Sequence, residues 1–137
     1  MFVLDTNVIS ELRQGKPRQS YEVRAWAAWQ PSNTLLLSAI TMLELEIGIQ
    51  ALERRMPPEG SALRSWIAGV RTAFAGRILP FTDNTAPVCA ARHEPRTRSE
   101  CDAMIAAAAI KHRFIVATRH VAHFAATGVE LVNPWQT

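Results

Sequence analysis

The chain opens Met1-Phe-Val-Leu-Asp-Thr-Asn-Val-Ile-Ser10, and this stretch constrains the fold more than any other. Phe2-Val3-Leu4 is an apolar run of strand length. Asp5, Thr6 and Asn7 break it with three side chains that cap helix N-termini well, so a helix can begin at once. A strand that passes directly into a helix is the unit of an α/β sheet, and such sheets bind ligands at the carboxyl ends of their strands. Asp5 therefore has two readings, a helix cap or a carboxylate set at a ligand site.

The same pattern recurs down the chain. Residues 34–38, 77–81, 114–118 and 129–132 read as strands, 77–81 at a sheet edge because of Pro80 and 114–118 as a strong central strand. Helical periodicity covers about 8–12, 18–30, 42–52, 59–74, 83–93, 100–112 and 121–127. Met56-Pro-Pro58 reads as a loop, Asp83 and Ser99 as caps, residues 92–98 as a basic loop, and Gly128 as a helix stop. Trp26 and Trp29, three apart on one helix, suit a core or a subunit interface better than a base-stacking platform. Strands alternating with helices predict an α/β fold, a parallel sheet of four to five strands with helices on both faces.

At 137 residues, 48% hydrophobic and 20% charged, the chain suits one domain over 1–137 with a core that needs no staples. Cys89 and Cys101 form neither a metal-type spacing nor a disulfide framework and read as small buried hydrophobes. No apolar stretch approaches bilayer length and no basic segment precedes an apolar one at the N-terminus, so the expected location is the cytoplasm. The net charge of +3 permits a nucleic-acid partner without establishing one.

Two further acids share the setting of Asp5. Glu44 stands three residues past Thr41, just after the second strand, and Asp102 three past Ser99, at the head of an alanine-rich helix. Both spacings also match a capping box, so each acid has a structural reading beside the functional one. In a parallel sheet the mouths of helices that follow strands share one edge, which Asp5 and Glu44 satisfy directly; Asp102 needs the topology to reach it. Three converging carboxylates would repel one another and raise at least one pKa, a conflict that a divalent cation resolves. Oxygen-only donors select a hard ion such as Mg²⁺ or Mn²⁺, which can activate water and stabilise charge on a phosphodiester.

Several blocks in series carry a family resemblance: Leu4-Asp-Thr-Asn-Val-Ile-Ser-Glu-Leu12, Ser38-Ala-Ile-Thr-x-x-Glu-Leu45 with Gly48, Ala75 to Phe81, Asp102-Ala-x-Ile-Ala-Ala107, Val116-Ala-Thr-Arg119, Gly128-Val and Val132-Asn-Pro-Trp135. Together they resemble the PIN-domain ribonucleases, in particular the toxins of VapBC-type toxin–antitoxin pairs in their FitB-like branch. The resemblance implies a PIN-like fold and a Mg²⁺- or Mn²⁺-dependent endoribonuclease with Asp5, Glu44 and Asp102 as metal ligands and catalytic acids. Thr6, Asn7, Thr118 and His120 would position those acids or the substrate. It also implies a homodimer, an RNA substrate and a VapB/FitA-type antitoxin that fills the active-site groove and alone contacts DNA. Arg13 and Lys16, close behind the first acid, and Arg119, after the fourth strand, are the best candidates for RNA-phosphate contacts.

The chain departs from the family pattern in two places. Where the family usually carries Asn or Asp and then a further acid, this chain has His120 and His123. A neutral imidazole is a poor ligand for Mg²⁺ and a better one for Mn²⁺; both histidines read as partly exposed groups contacting backbone or RNA phosphate, and the expectation is a site of one or two ions. The segment 83–98 is also short. The histidines give the alternative function, a catalytically weakened PIN domain that acts as a binding partner. An aspartate-nucleophile phosphatase would need a second acid two residues after Asp5, and Asn7 stands there.

Overall fold

The structure is a computed structural model and describes residues 1–93 and 100–137, with the backbone alone for residue 93. Five short strands, β1 (Phe2–Leu4), β2 (Leu35–Ser38), β3 (Ile78–Leu79), β4 (Ile115–Ala117) and β5 (Leu131–Val132), pair in parallel in the order β3-β2-β1-β4-β5. β1 is the middle strand, with Val3 opposite Leu36 on one side and Val116 on the other. β3 is an edge strand, as Pro80 required, and β4 is interior. Seven α-helices lie among the described residues: α1 (Thr6–Glu11), α2 (Tyr21–Trp29), α3 (Ala39–Arg55), α4 (Pro57–Ala73), α5 (Ala86–His93), α6 (Glu100–His112) and α7 (Val121–Phe124).

The period of two along a strand divides the apolar residues between two cores. Leu4, Leu35, Leu37 and Ala117 face one, with Val8, Val23, Leu45 and Ile67 from α1 to α4. Val3, Leu36 and Val116 face the other, with Ile105 and Ala109 of α6 and Phe124 of α7. The small side chains of α6 bury it on most of its circumference; Ala103, Ala106, Ala107 and Ala109 are wholly inaccessible. This is the two-faced parallel sheet expected from the alternation of runs.

Chain direction decides what reaches the functional edge. α1 and α3 follow β1 and β2 directly, so their first turns lie at the carboxyl edge of the sheet. α6 precedes β4 and runs back antiparallel to it, which carries its N-terminal turn, and Asp102, to that same edge.

Local chemistry moves several element boundaries. α3 begins at Ala39, capped by Ser38, whose hydroxyl accepts from the Ile40 amide at 3.0 Å. Thr41 is therefore buried inside the first turn, Glu44 falls in the second, and the capping box expected for the pair does not form. Met56–Pro58 is not a loop: Pro57 and Pro58 occupy the first turn of α4, where a missing amide hydrogen costs nothing. Asp83 lies in a turn and caps nothing; the Thr85 hydroxyl accepts from the Thr82 amide there, and α5 starts at Ala86. α2 starts at Tyr21, capped by Ser20, after Arg18 adopts a left-handed φ of 56°. Of the tryptophan pair, Trp26 is core and meets Phe2 edge-on at 5.0 Å, whereas Trp29 is 85% exposed and not a core residue. Gly128 ends the helical segment that continues α7 through Ala125–Thr127, in the left-handed conformation, as read from the sequence. The Ser99 cap and most of the basic loop fall outside the described residues, and Arg92 belongs to α5.

α3 and α4 approach closely at Gly60, where an added Cβ would stand 2.6 Å from the Glu53 Cα. Alanine at a helix interior normally gains up to about 1 kcal/mol over glycine. Here the obstacle is backbone, so the two helices must separate, and overpacking of this kind costs about 1–3 kcal/mol. Gly60→Ala is expected to lower the urea midpoint; an unchanged or higher midpoint would mean that the crossing gives way freely.

Candidate active site

Asp5 ends β1 and continues the ladder, its amide donating to the Ala117 carbonyl at 2.9 Å. Its backbone carbonyl accepts from Val8 and Ile9, so it also opens α1. Only one carboxylate oxygen serves the cap: Oδ1 accepts from the Thr6 amide at 2.8 Å. The other, Oδ2, accepts from the Thr118 hydroxyl at 2.7 Å and from Asn7 Nδ2 at 2.9 Å. Asp5 is therefore both cap and cluster member, and three donors fix a carboxylate that is 4% exposed.

The fixing groups are themselves fixed. The Thr118 hydroxyl accepts from the His120 amide at 3.0 Å, and Asn7 Oδ1 accepts from the Arg119 amide at 3.1 Å. The turn after β4 is thus tied to the turn after β1. Thr6 faces the other way and donates through Oγ1 to Glu44 Oε1 at 2.6 Å.

Glu44 and Asp102 are half-buried, and both carboxyls are raised above their ordinary values. For Glu44 the largest cause is burial, with the charges of Asp5 and Asp102 adding to it and the Thr6 hydrogen bond opposing. For Asp102 it is burial again, then the charge of Asp5, opposed by His123 and His120. The charge of Asp5 thus reaches both other acids, and that of Asp102 reaches Glu44. Among the described residues, no three Asp, Glu, His or Cys side chains stand, as placed, at ligand distance from one point.

The histidines sit beside Asp102. His123 Nδ1 is 3.7 Å from Asp102 Oδ2, and the His120 and His123 rings stack with centroids 4.8 Å apart. His120 donates its amide to the Thr118 hydroxyl, while its ring packs on His123.

The basic candidates divide. Arg13 lines a groove of about 360 Å³ that starts at Glu44 and passes Ser10, Lys16, Arg55 and Trp66. A second hollow of about 610 Å³ between α1 and α4 shares Arg13 and Trp66 and is lined largely by apolar residues, among them Leu12 and Phe74. Lys16 lines the first groove but is held at 3.1 Å by Glu11. Arg119 lays its guanidinium over the Trp135 ring, 5.2 Å from the centroid.

Two residues near the site carried no signal that sequence reasoning used. Glu11 is a buried acid inside α1, and its Oε2 accepts from the Ser20 amide at 2.6 Å. Burial pushes its carboxyl up, but the bonds from Ser20 and Lys16 outweigh it and the net shift is downward. Glu11→Ala strands a half-buried amide and releases Lys16, which is expected to cost about 1 kcal/mol in denaturant unfolding. No loss would show that Ser20 finds water instead. The other is Cys101, half-buried, whose thiol is pushed up by burial and then by the charges of Glu44 and Asp102; its neighbour in the sequence, Asp102, is the only hint.

Comparison with known proteins places the chain. The VapC ribonuclease Y4jK of Sinorhizobium fredii is 39% identical over 145 aligned positions, covering 99% of each chain. The toxin FitB of Neisseria gonorrhoeae is 36% identical, covering 98% of this chain and 99% of its own. The crystal structure of FitAcB from Neisseria gonorrhoeae superposes with a TM-score of 0.89 at 35% identity, over all of both chains. With a PIN domain family model matching residues 2–126 as well, the chain belongs to the PIN domain family.

Proposed function

We propose that the protein is a divalent-metal-dependent endoribonuclease that acts as the toxin of a toxin–antitoxin pair. The observation that carries this reading is the convergence of Asp5, Glu44 and Asp102 at one sheet edge, with the charge of Asp5 raising the other two. The full-length likeness to a VapC ribonuclease and to the toxin FitB supports RNA as the substrate.

The donor set suits Mg²⁺ or Mn²⁺: three carboxylates whose repulsion a hard cation relieves. Asp5 is presented rigidly, and Glu44 and Asp102 would turn toward it by side-chain rotation. When bound, such an ion supplies positive charge against the phosphate and makes water acidic enough to attack at neutral pH. The residues do the rest. Thr118, Asn7 and the Thr6 amide keep Asp5 from rotating, and Thr6 orients one oxygen of Glu44. Arg13 and Lys16 flank the groove that leaves Glu44 and suit a phosphate backbone there. The products carry a 5′-phosphate and a 3′-hydroxyl.

The adjoining apolar hollow suits the inhibitory segment of a VapB/FitA-type antitoxin, through which alone the complex would contact DNA. A homodimer and a cytoplasmic site of action complete the reading, with residues 1–137 as one domain; among the described residues no helix is long and apolar enough to cross a membrane.

Asp102→Asn tests the ligand set. It is expected to lose both Mn²⁺ affinity in calorimetry and cleavage of RNA; retention of both would remove Asp102 from the site. A second reading, a PIN domain weakened in catalysis that serves as a binding partner, is favoured by His120 and His123. Metal binding by the wild-type chain without turnover on any RNA would establish it.

A further inference from the structure

His123 projects from α7 onto the carboxylate that α6 brings to the site. Its Nδ1 lies 3.7 Å from Asp102 Oδ2, and its ring stacks on that of His120 at an interplanar angle of 9°. Phe124, the next residue, is wholly buried and anchors the helix, while the His123 side chain remains 60% exposed. The imidazole is therefore placed by the fold but free to rotate.

The separation is informative. In an octahedral ion with bonds of about 2.1 Å, neighbouring donors stand about 3 Å apart. A nitrogen and an oxygen 3.7 Å apart come within a small side-chain rotation of sharing one ion. The chemistry also differs from that of the carboxylates: imidazole suits transition metals, whereas Mg²⁺ prefers oxygen. Resting on the metal-dependent reading above, we propose that His123 supplies a nitrogen ligand beside Asp102 and thereby biases the site toward Mn²⁺ over Mg²⁺. This departs from the backbone or phosphate contact expected from the sequence, because His123 stands at a carboxylate rather than at either. His120 acts as a stacking brace and does not ligate.

Electron spin-echo spectroscopy of Mn²⁺ bound to the RNA-free protein, with any affinity tag removed, reads the ligand directly through coupling to ¹⁴N. Wild-type protein should show imidazole nitrogen coupling, His120→Asn should keep it, and His123→Asn should lose it. His123→Asn should also weaken Mn²⁺ about tenfold or more, with Mg²⁺ changed less than about twofold. Circular dichroism on each variant separates loss of a ligand from loss of the fold, and the exposure of His123 favours retention of the fold. Mn²⁺ bound to wild type without nitrogen coupling would overturn the proposal and leave the carboxylate site standing. Coupling that vanishes in His120→Asn but survives in His123→Asn would overturn the assignment to His123. No Mn²⁺ binding at all would overturn the metal-dependent reading itself.

Discussion

Asp5→Asn is expected to abolish RNA cleavage while leaving the protein folded at neutral pH. The substitution keeps size and shape, so the Thr6 amide still has an oxygen to donate to. The amide nitrogen that replaces Oδ2 meets the Thr118 hydroxyl, which can accept, and Asn7 Nδ2, which cannot. One hydrogen bond is therefore lost, at a cost of about 1 kcal/mol against the repulsion relieved. What disappears is a buried charge at the meeting point of three acids. Loss of even an outer partner of a metal ligand costs ten- to a hundredfold, so loss of the most rigidly held carboxylate should exceed about a hundredfold in kcat/KM. On the stability side the Glu44 and Asp102 carboxyls, raised partly by the charge of Asp5, should move back toward their ordinary values. Raised acids destabilise the fold at neutral pH, because the folded chain disfavours their charged form. In metal-free wild type that penalty is relieved as pH falls through the raised values toward the ordinary glutamate value of 4.5. Glu11 acts in the opposite sense and in a different window. Its carboxyl is lowered, so its contribution is intact above 4.5 and lost as pH falls through the lowered value. Wild-type stability should therefore rise on mild acidification and fall on strong acidification, and Asp5→Asn should flatten the first limb. A variant that unfolds at neutral pH would mean that Asp5 is chiefly a structural cap.

The largest loss of stability is expected from Phe124→Ala. Phe124 is the largest side chain with no exposure at all, and it anchors a four-residue helix that has no other buried residue. Truncating a buried phenylalanine costs about 3–5 kcal/mol, part of it from the cavity left behind. In a domain of this size that corresponds to a fall in Tm of roughly 10 °C or more. Because α7 also carries His123, the variant should lose metal discrimination before it loses the carboxylate site. A change in Tm of only a few degrees would show that α7 collapses onto the sheet and refills the space.

The parts of this protein that were legible in the sequence are those where one residue type has one physical use. The opening run, Pro80, Gly128 and the alternation of strand and helix led directly to a parallel sheet. Asp5 and Glu44 stood at its carboxyl edge for the same reason. Asp102 could not be placed from spacing alone, because its position depends on α6 running back against β4. The errors share a cause: Ser, Thr, Asp and Pro each serve more than one end of a helix. Ser38 took the cap assigned to Thr41, and Pro57 began a helix instead of lying in a loop. Trp29 shows the limit of periodicity: of the two readings given to the pair, core or subunit interface, its exposure removes only the core. Glu11 was invisible because a buried acid in a helix looks like a surface one until its partner, here the Ser20 amide, is known.

The most direct test of the central claim is cleavage of a mixed RNA pool by metal-stripped wild-type protein. Mn²⁺ or Mg²⁺ is then added back, and Asp5→Asn prepared in parallel serves as the control. The expected result is no cutting in chelator, cutting on addition of either ion with 5′-phosphate ends, a lower requirement for Mn²⁺, and none of this in Asp5→Asn. Cutting by stripped wild type, or equal cutting by wild type and Asp5→Asn, would contradict a nuclease centred on these three carboxylates.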